Sequence, residues 1–262
     1  MNYLEGGFFM NISSIGSSTS SYYNQLSSGK KINSAADDAS GLAIAKKIES
    51  QVNGYDTGTD NAKASKSMLN ISDGALSSIT SSLERIYELS IQASNGLYGD
   101  DEKSYIQNEI DQLKQAISDV SANTTYNEKK LLNGSSSTSH VASGPDGGGM
   151  DVTLHNTTLE ALGIADYNVT GKFDISVITD AIKTINSARS DNGAQTNALE
   201  HTINYNQNAS ENLTAAKSRI EDLDYGKAIS ESKTEELMDE YRLFMQKKSA
   251  DNDGMVIKLL NG

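Results

Sequence analysis

One proline, Pro145, stands in the whole chain, and that restricts the fold more than any other feature. Proline removes a backbone donor and clashes inside helices, so helical pattern can run uninterrupted on either side of it. Over residues 38–95, Leu69, Leu76, Ile79, Leu83 and Ile86 recur at sevens, threes and fours, with Ser72 breaking the seam. Continuous helix over that span would be about 85 Å long at about 1.5 Å per residue. Gly54 and Gly58 are expected to loosen one turn of it, and Asn95-Gly96 makes a fitting end. A second helix is expected over 101–121, through Ile106, Ile110, Leu113, Ile117 and Val120. The short connection between the two implies antiparallel packing.

Residues 122–174 change character. Leu131-Leu132-Asn133-Gly134 reads as a strand entering a turn, and Ser135 to Gly149 is a low-complexity Ser/Gly stretch expected to form a flexible tip. Val152–Leu154 and Val169–Ile175 fit short strands or irregular segments. Helical pattern returns from Ile175 to Leu223 through Ile178, Ile182, Ile185, Leu199, Ile203, Leu213 and Ile220, with a loosening expected at Gly193. A last segment, Gly226–Lys248, is charged but amphipathic through Ile229, Leu237, Tyr241 and Phe244. The expected fold is mainly α: long antiparallel helical hairpins or coiled coil built from the N- and C-terminal segments, with a small β or irregular tip. The divisions are an N-terminal segment at 1–36, loosely structured or a short helix, and two core halves at 37–134 and 175–224. A variable tip lies between them at 135–174, and an inner helix follows at 225–262. The two chain ends should lie together.

Composition agrees with slender helices. Hydrophobic residues make up 36% and aromatics 6%, with no Trp, which is thin for a compact globule but enough for a helical seam. A formal charge of −13 argues against nucleic acid as a partner, because phosphates repel such a surface. No run of about 18 apolar residues is present to span a membrane. The start, Met1–Ile12, has no basic region leading into an apolar stretch, so export by a cleaved Sec signal is not expected.

No catalytic site, metal site or cofactor is expected. Cys is absent, which removes disulfides and thiolate chemistry together. His140, His155 and His201 form no HExxH, and no Ser sits in GxSxG. Gly144–Gly149 lacks the Lys-Ser/Thr of a phosphate loop, and Asp251-Asn-Asp-Gly254 lacks the closing Glu of a calcium loop.

The most specific wording is Leu26-Ser-Ser-Gly-Lys-Lys-Ile-Asn-Ser-Ala-Ala-Asp-Asp-Ala-Ser-Gly-Leu-Ala-Ile-Ala45. Read physically, it is a polar loop passing into a helix start, with Asp37 and Asp38 suited to unpaired N–H groups and the positive dipole end. It closely resembles the N-terminal signature of bacterial flagellins. A second run, Ala209-Ser-Glu-Asn-Leu-Thr-Ala-Ala-Lys-Ser-Arg-Ile-Glu-Asp-Leu-Asp224, resembles the C-terminal flagellin motif, and Thr158–Ile164 resembles the segment closing the outer part of the family's core. The likeness covers about 26–134 and 155–262. It implies a near-minimal flagellin, without the large outer domains of many relatives.

What the resemblance implies is a structural subunit, not an enzyme, that is exported and polymerises into an extracellular filament for motility. The implied partners are further copies of itself, the flagellar export apparatus, a flagellin chaperone, and hook-associated and cap proteins. The polymerisation signature maps onto Leu26, Gly29, Ile32, Asn33, Asp37, Asp38, Gly41, Leu42 and Ile44, and onto Glu211, Asn212, Leu213, Arg219, Ile220, Asp222 and Asp224. Leu83–Ile91 resembles the stretch recognised by Toll-like receptor 5, so Arg85 and Leu89, with Glu109 on the next helix, are candidate receptor contacts. An exposed Arg beside an apolar Leu would make a hot-spot pair; a solvated Arg and a packing Leu are the alternative. Two departures stand out. The segment before Leu26 is shorter than the family's, with Met1–Phe9 preceding a second start candidate at Met10. The last helix carries Glu235-Glu236, Asp239-Glu240 and Lys247-Lys248. They keep two other readings open: a hook–filament junction protein, disfavoured because no Pro flanks Asp37-Asp38, and a secreted flagellin-like immune ligand or adhesin that does not polymerise.

Overall fold

The computed structural model describes residues 15–260. The readings at Met1–Phe9, Met10 and Ile12 lie outside the described residues. Among the described residues there are five helices: α1 Ile15–Ser28, α2 Ala39–Ala93, α3 Asp100–Asn123, α4 Ser176–Glu221 and α5 Tyr225–Leu260. Four short strands separate α3 from α4: β1 Thr125–Tyr126, β2 Lys129–Lys130, β3 Thr138–Ala142 and β4 Gly149–Thr153. The chain forms two compact units. One takes the chain ends, up to Ser50 and from Asn212 onward; the other is Gln51–Glu211.

In the Gln51–Glu211 unit the seam expected from periodicity is the core. Leu69, Leu76, Ile79, Leu83 and Ile86 of α2 are buried with Ile106, Ile110 and Ile117 of α3 and Ile178, Ile185 and Leu199 of α4. Ser72 interrupts that seam for a reason the sequence hid. The Asn192 side chain of α4 donates to Ser72 Oγ at 3.2 Å, and both residues are 2% exposed. Beside them Arg189 pairs with Asp73 at 3.0 Å. A polar pair inside an apolar seam satisfies itself in one helix register only.

Two local expectations are corrected, and the two alternatives for Val169–Ile175 are decided. Leu131 and Leu132 are buried but form no strand; β1 and β2 pair just before them through Asn127 and Glu128, both at positive φ. Val169–Ile175 is irregular, held by the buried Gln107 side chain, whose Oε1 accepts from the Val169 N–H at 2.8 Å. The Ser/Gly stretch is an ordered antiparallel hairpin, β3 on β4 with His140 opposite Asp151.

That hairpin also explains Gly54 and Gly58, which lie within continuous helix. A Cβ on Gly58 would stand 2.1 Å from the Ser143 carbonyl oxygen, and one on Gly54 would stand 2.5 Å from Pro145 Cβ. The two glycines are thus the seat for the hairpin turn. Asn61 Nδ2 donates to the Ala142 carbonyl, Asn206 Nδ2 to that of Ser143, and Gln195 Oε1 accepts from the Thr153 N–H. Gly193 likewise lies inside continuous α4, with no neighbour within 4 Å of a Cβ placed there.

Candidate functional site

The two sequence signatures meet in the unit formed by the chain ends. After α1 the chain reverses at Gly29, whose φ of +71° favours glycine. Residues 29–31 then lie antiparallel to 221–223. Lys31 N–H donates to the Glu221 carbonyl at 2.7 Å, Leu223 N–H donates to that of Gly29 at 3.0 Å, and Lys30 faces Asp222. Lys31 Nζ adds a bond to the Arg219 carbonyl at 3.0 Å, and the Tyr225 hydroxyl donates to the Leu26 carbonyl at 3.1 Å. A short ladder between these two segments therefore clasps the start of α2 to the junction of α4 and α5.

The acidic pair divides its work. Asp38 caps α2, its Oδ1 accepting from the Gly41 N–H at 2.8 Å. Asp37 instead closes the loop before the helix. Its Oδ2 accepts from the N–H groups of Ser34 at 2.8 Å and Asn33 at 3.0 Å, and from the Ser34 hydroxyl. The Ser34 and Asn33 N–H groups hold the Asp37 carboxyl below its ordinary pKa. Gly41 has no room for a side chain: a Cβ there would lie 2.3 Å from the capping Asp38 carboxylate and 2.7 Å from buried Ile32. On the other strand Asp224 caps α5, its Oδ1 accepting from the Lys227 N–H at 3.1 Å.

Beneath the ladder lies a buried carboxylate the signature reading passed over. Glu221 is 2% exposed, and Lys30 reaches it at 3.0 Å, with Lys217 at 4.0 Å. Lys217 also approaches Glu49 at 3.5 Å. The buried member of the Lys30–Glu221 pair is the acid, and it needs a cation beside it; Lys30 supplies that charge from a partly exposed position. Of the remaining signature residues, Leu42, Leu213 and Ile220 are half-buried, while Ile44 is 49% exposed. Asn33 donates from its side chain to the Lys30 carbonyl. Asn212 belongs to this unit, whereas exposed Glu211 belongs to the other and takes no part in the ladder.

Helix α5 packs against α1 in an unexpected sense. Its buried positions are small, Ala228 and Ser232, and the Tyr23 hydroxyl of α1 donates to Glu236 at 3.2 Å. Four of its large apolar residues face outward: Ile229, Leu237, Tyr241 and Phe244 are 49–66% exposed. These are the residues that made the segment read as amphipathic.

The candidate receptor face lies in the other unit, where α2 and α3 run side by side. The Arg85 guanidinium donates to Glu109 at 2.8 Å and to Glu88 at 3.1 Å, with all three side chains about half-exposed or more. Glu109, and after it Glu88, raises the Arg85 pKa. Leu89 needs a correction. It is 2% exposed and belongs to the core, so the expected surface pair of Arg and Leu does not form. On α3, Tyr105, one helical turn before Glu109, is 73% exposed.

No group of three or more His, Asp or Glu suited to a metal occurs among the described residues, and no described helix is long and apolar enough to cross a membrane. Residues 8–137 match the family model for the bacterial flagellin N-terminal helical region, and residues 175–260 match that for the C-terminal helical region. The chain belongs to the bacterial flagellins. It is 33% identical over 244 residues to a flagellin of Halalkalibacterium halodurans, covering 90% of this chain and 89% of that one. It is 31% identical over 291 residues to a flagellin of Bacillus subtilis, covering 95% of each. A crystal structure of Bacillus cereus flagellin aligns with a TM-score of 0.50 at 26% identity, covering 56% of this chain and 88% of that one. This flagellin is accordingly a structural subunit of an extracellular flagellar filament, and its mainly helical fold with a small tip is the family's.

Proposed function

We propose that this flagellin reaches the cell exterior through the flagellar export apparatus, with a flagellin chaperone. There it polymerises with copies of itself, between hook-associated proteins and a cap protein, with 1–36 and 225–262 as the inner part of each subunit. The outward face of α5 carries this reading. Ile229, Leu237, Tyr241 and Phe244 stay exposed while small Ala228 and Ser232 face the protein. Burying one such large apolar side chain against a neighbour gains about 1.5–3 kcal/mol, and head-to-tail contacts that do not close give an open helix. Electron microscopy of the purified full chain under polymerising conditions tests this. Wild type should form filaments, and Leu237→Ser with Phe244→Ser should stay monomeric with unchanged helical content. Filaments from the double variant at wild-type yield would refute the assignment of this face. A wild-type chain that forms none would favour the non-polymerising immune ligand.

A second activity is supported by the Arg85–Glu109 pair, which spans α2 and α3 on an exposed face. We infer that Arg85 and Glu109 contact Toll-like receptor 5, and that Leu89 acts by holding the helix in place. Arg85→Ala should weaken binding to the receptor ectodomain without altering thermal stability. Leu89→Ala should lower stability by about 2–5 kcal/mol through the cavity it leaves. Unchanged binding in Arg85→Ala removes the site.

A further inference from the structure

The chain holds several Asn-Gly pairs, and the fold treats them unequally. Such a pair is chemically labile because the backbone nitrogen of an unhindered glycine can reach the preceding side-chain amide. Four pairs lie within the described residues: Asn53-Gly54, Asn95-Gly96, Asn133-Gly134 and Asn192-Gly193. We propose that Asn95 is a site of spontaneous deamidation in this flagellin, faster than the other three.

Helix protects two of them. Asn53 lies inside α2 and Asn192 inside α4, where helical ψ turns the next backbone nitrogen away and its N–H is committed to the ladder. Asn192 is also buried and engaged with Ser72. Asn133 sits in a turn, with its Oδ1 accepting from the Ser135 N–H at 3.0 Å. Its glycine, however, is confined: a Cβ on Gly134 would lie 2.6 Å from the Asn156 side chain, and Leu131 and Leu132 just before it are fully buried.

Asn95 also sits in a turn, its N–H donating to the Gln92 carbonyl and its carbonyl accepting from the Tyr98 N–H, but it lacks the helix, the burial and the confined glycine that restrain the others. α2 ends at Ala93, and Asn95 and Gly96 are both exposed. Gly96 has no atom within 4 Å of a Cβ placed on it, and its N–H has no acceptor among the described residues. The Leu97 N–H donates to Asn95 Oδ1 at 3.1 Å, which folds the side-chain amide back over the Gly96 peptide. The same donor would stabilise negative charge on that oxygen during attack.

The step is balanced without an oxidant or a partner enzyme. The Gly96 backbone nitrogen, losing its proton to base, forms a bond to Asn95 Cγ. The Cγ–Nδ2 bond breaks and ammonia leaves, giving a five-membered succinimide. Water opens the ring at either carbonyl, yielding aspartate or isoaspartate. Either product puts a carboxylate just past the C-terminal end of α2, where the helix dipole opposes it. Isoaspartate also lengthens the α2–α3 turn by one backbone carbon.

The purified full chain, incubated folded in mildly alkaline buffer, tests this by tandem mass spectrometry of tryptic peptides. The peptide Ile86–Lys103 should become one mass unit heavier at Asn95, about tenfold faster than conversion at Asn53 or Asn192, and faster than at Asn133. Gly96→Ala, at an exposed position, should slow it by about the same factor. In concentrated urea the four rates should converge. The proposal is overturned if Asn95 is not the fastest of the four, if Gly96→Ala leaves its rate unchanged, or if the spread of rates survives in urea.

Discussion

Replacing Gly58 by alanine should destabilise this flagellin, although the same change at most helical glycines stabilises. Gly58 lies in the middle of α2, where alanine is better than glycine by about 0.8–1 kcal/mol. The structure opposes that gain. The new methyl carbon would stand 2.1 Å from the Ser143 carbonyl oxygen and 2.6 Å from its carbon, both backbone atoms. The hairpin turn has to retreat, and overpacking of this kind costs about 1–3 kcal/mol. Retreat also weakens the bonds from Asn206 to Ser143, at 2.7 Å, and from Asn61 to Ala142, at 2.9 Å, each worth about 0.5–1.5 kcal/mol net. Subtracting the propensity gain leaves a loss of about 1–3 kcal/mol.

Two other glycines supply the control. Gly74 in α2 and Gly193 in α4 have no atom within 4 Å of an added Cβ, so alanine there should stabilise by about 0.5–1 kcal/mol. Urea denaturation gives the three free energies, and hydrogen exchange localises the effect. Amides of β3 and β4 should exchange faster in Gly58→Ala and unchanged in the other two. If Gly58→Ala stabilises as much as Gly74→Ala, the docked hairpin is wrong and the glycine is merely a poor helix former.

Asp38→Ala should cost about 0.5–2 kcal/mol in the unit formed by the chain ends, since it removes the α2 cap, while Asp38→Asn should retain most of it; equal losses in thermal melts would sink the capping role. Asp37 sets a pH dependence. Its folded pKa lies below the unfolded value of 3.8, so its contribution is complete above that value and is lost as pH falls through the lower folded one. The Asn33 and Ser34 amides should therefore lose exchange protection as pH drops below about 3.8, a change absent in Asp37→Asn. Asn192→Ala should cost about 1–3 kcal/mol by leaving buried Ser72 without its donor, and adding Ser72→Ala should cost less than the two single changes predict. A double-mutant cycle with no coupling would remove the polar pair from the account of register.

The helices were legible because their core is one-sided. Leu69, Leu76 and Leu83 recur at sevens, and the same rhythm continues to position 90. There it is held by Ser90, fully buried with its hydroxyl bonded to Tyr167 at 2.8 Å. Apolar counting ends the seam too early because a satisfied serine fills its last place. Gly54 and Gly58 misled for a related reason. Their justification lies in Ser143 and Pro145, far along the chain, and no local pattern reports it. The hairpin looked formless because its own residues are small and polar; its restraint comes from the amides of Asn61, Gln195 and Asn206 on the flanking helices. Arg85 and Leu89 are spaced to share a helix face, yet one is exposed and the other buried. Arg85 lies at the rim of that face, and its long stem carries the charge into water; Leu89 has no such reach.

The signature residues themselves describe a joint more than a polymer contact. Gly29 reverses the chain, Asp37 and Asp38 close the loop and start α2, Glu221 neutralises Lys30, and Asp224 starts α5. Each of these tasks is completed inside one subunit. On α5, in wording less specific to the family, Ile229, Leu237, Tyr241 and Phe244 are large and exposed; among the signature residues Ile44 is exposed as well. If the outward α5 face carries assembly, as we propose, folding of the terminal unit and assembly of the filament rest on separate residues, and their variants should separate too. Glu221→Ala removes the acid from Lys30 and Lys217, so it should loosen the clasp in the monomer and expose the Lys30-Lys31 loop to trypsin. Leu237→Ser with Phe244→Ser should leave that cleavage rate unchanged and abolish assembly. If the α5 variants loosened the clasp as much as Glu221→Ala does, the outward face would be part of the monomer's own fold, and assembly would have to be sought elsewhere.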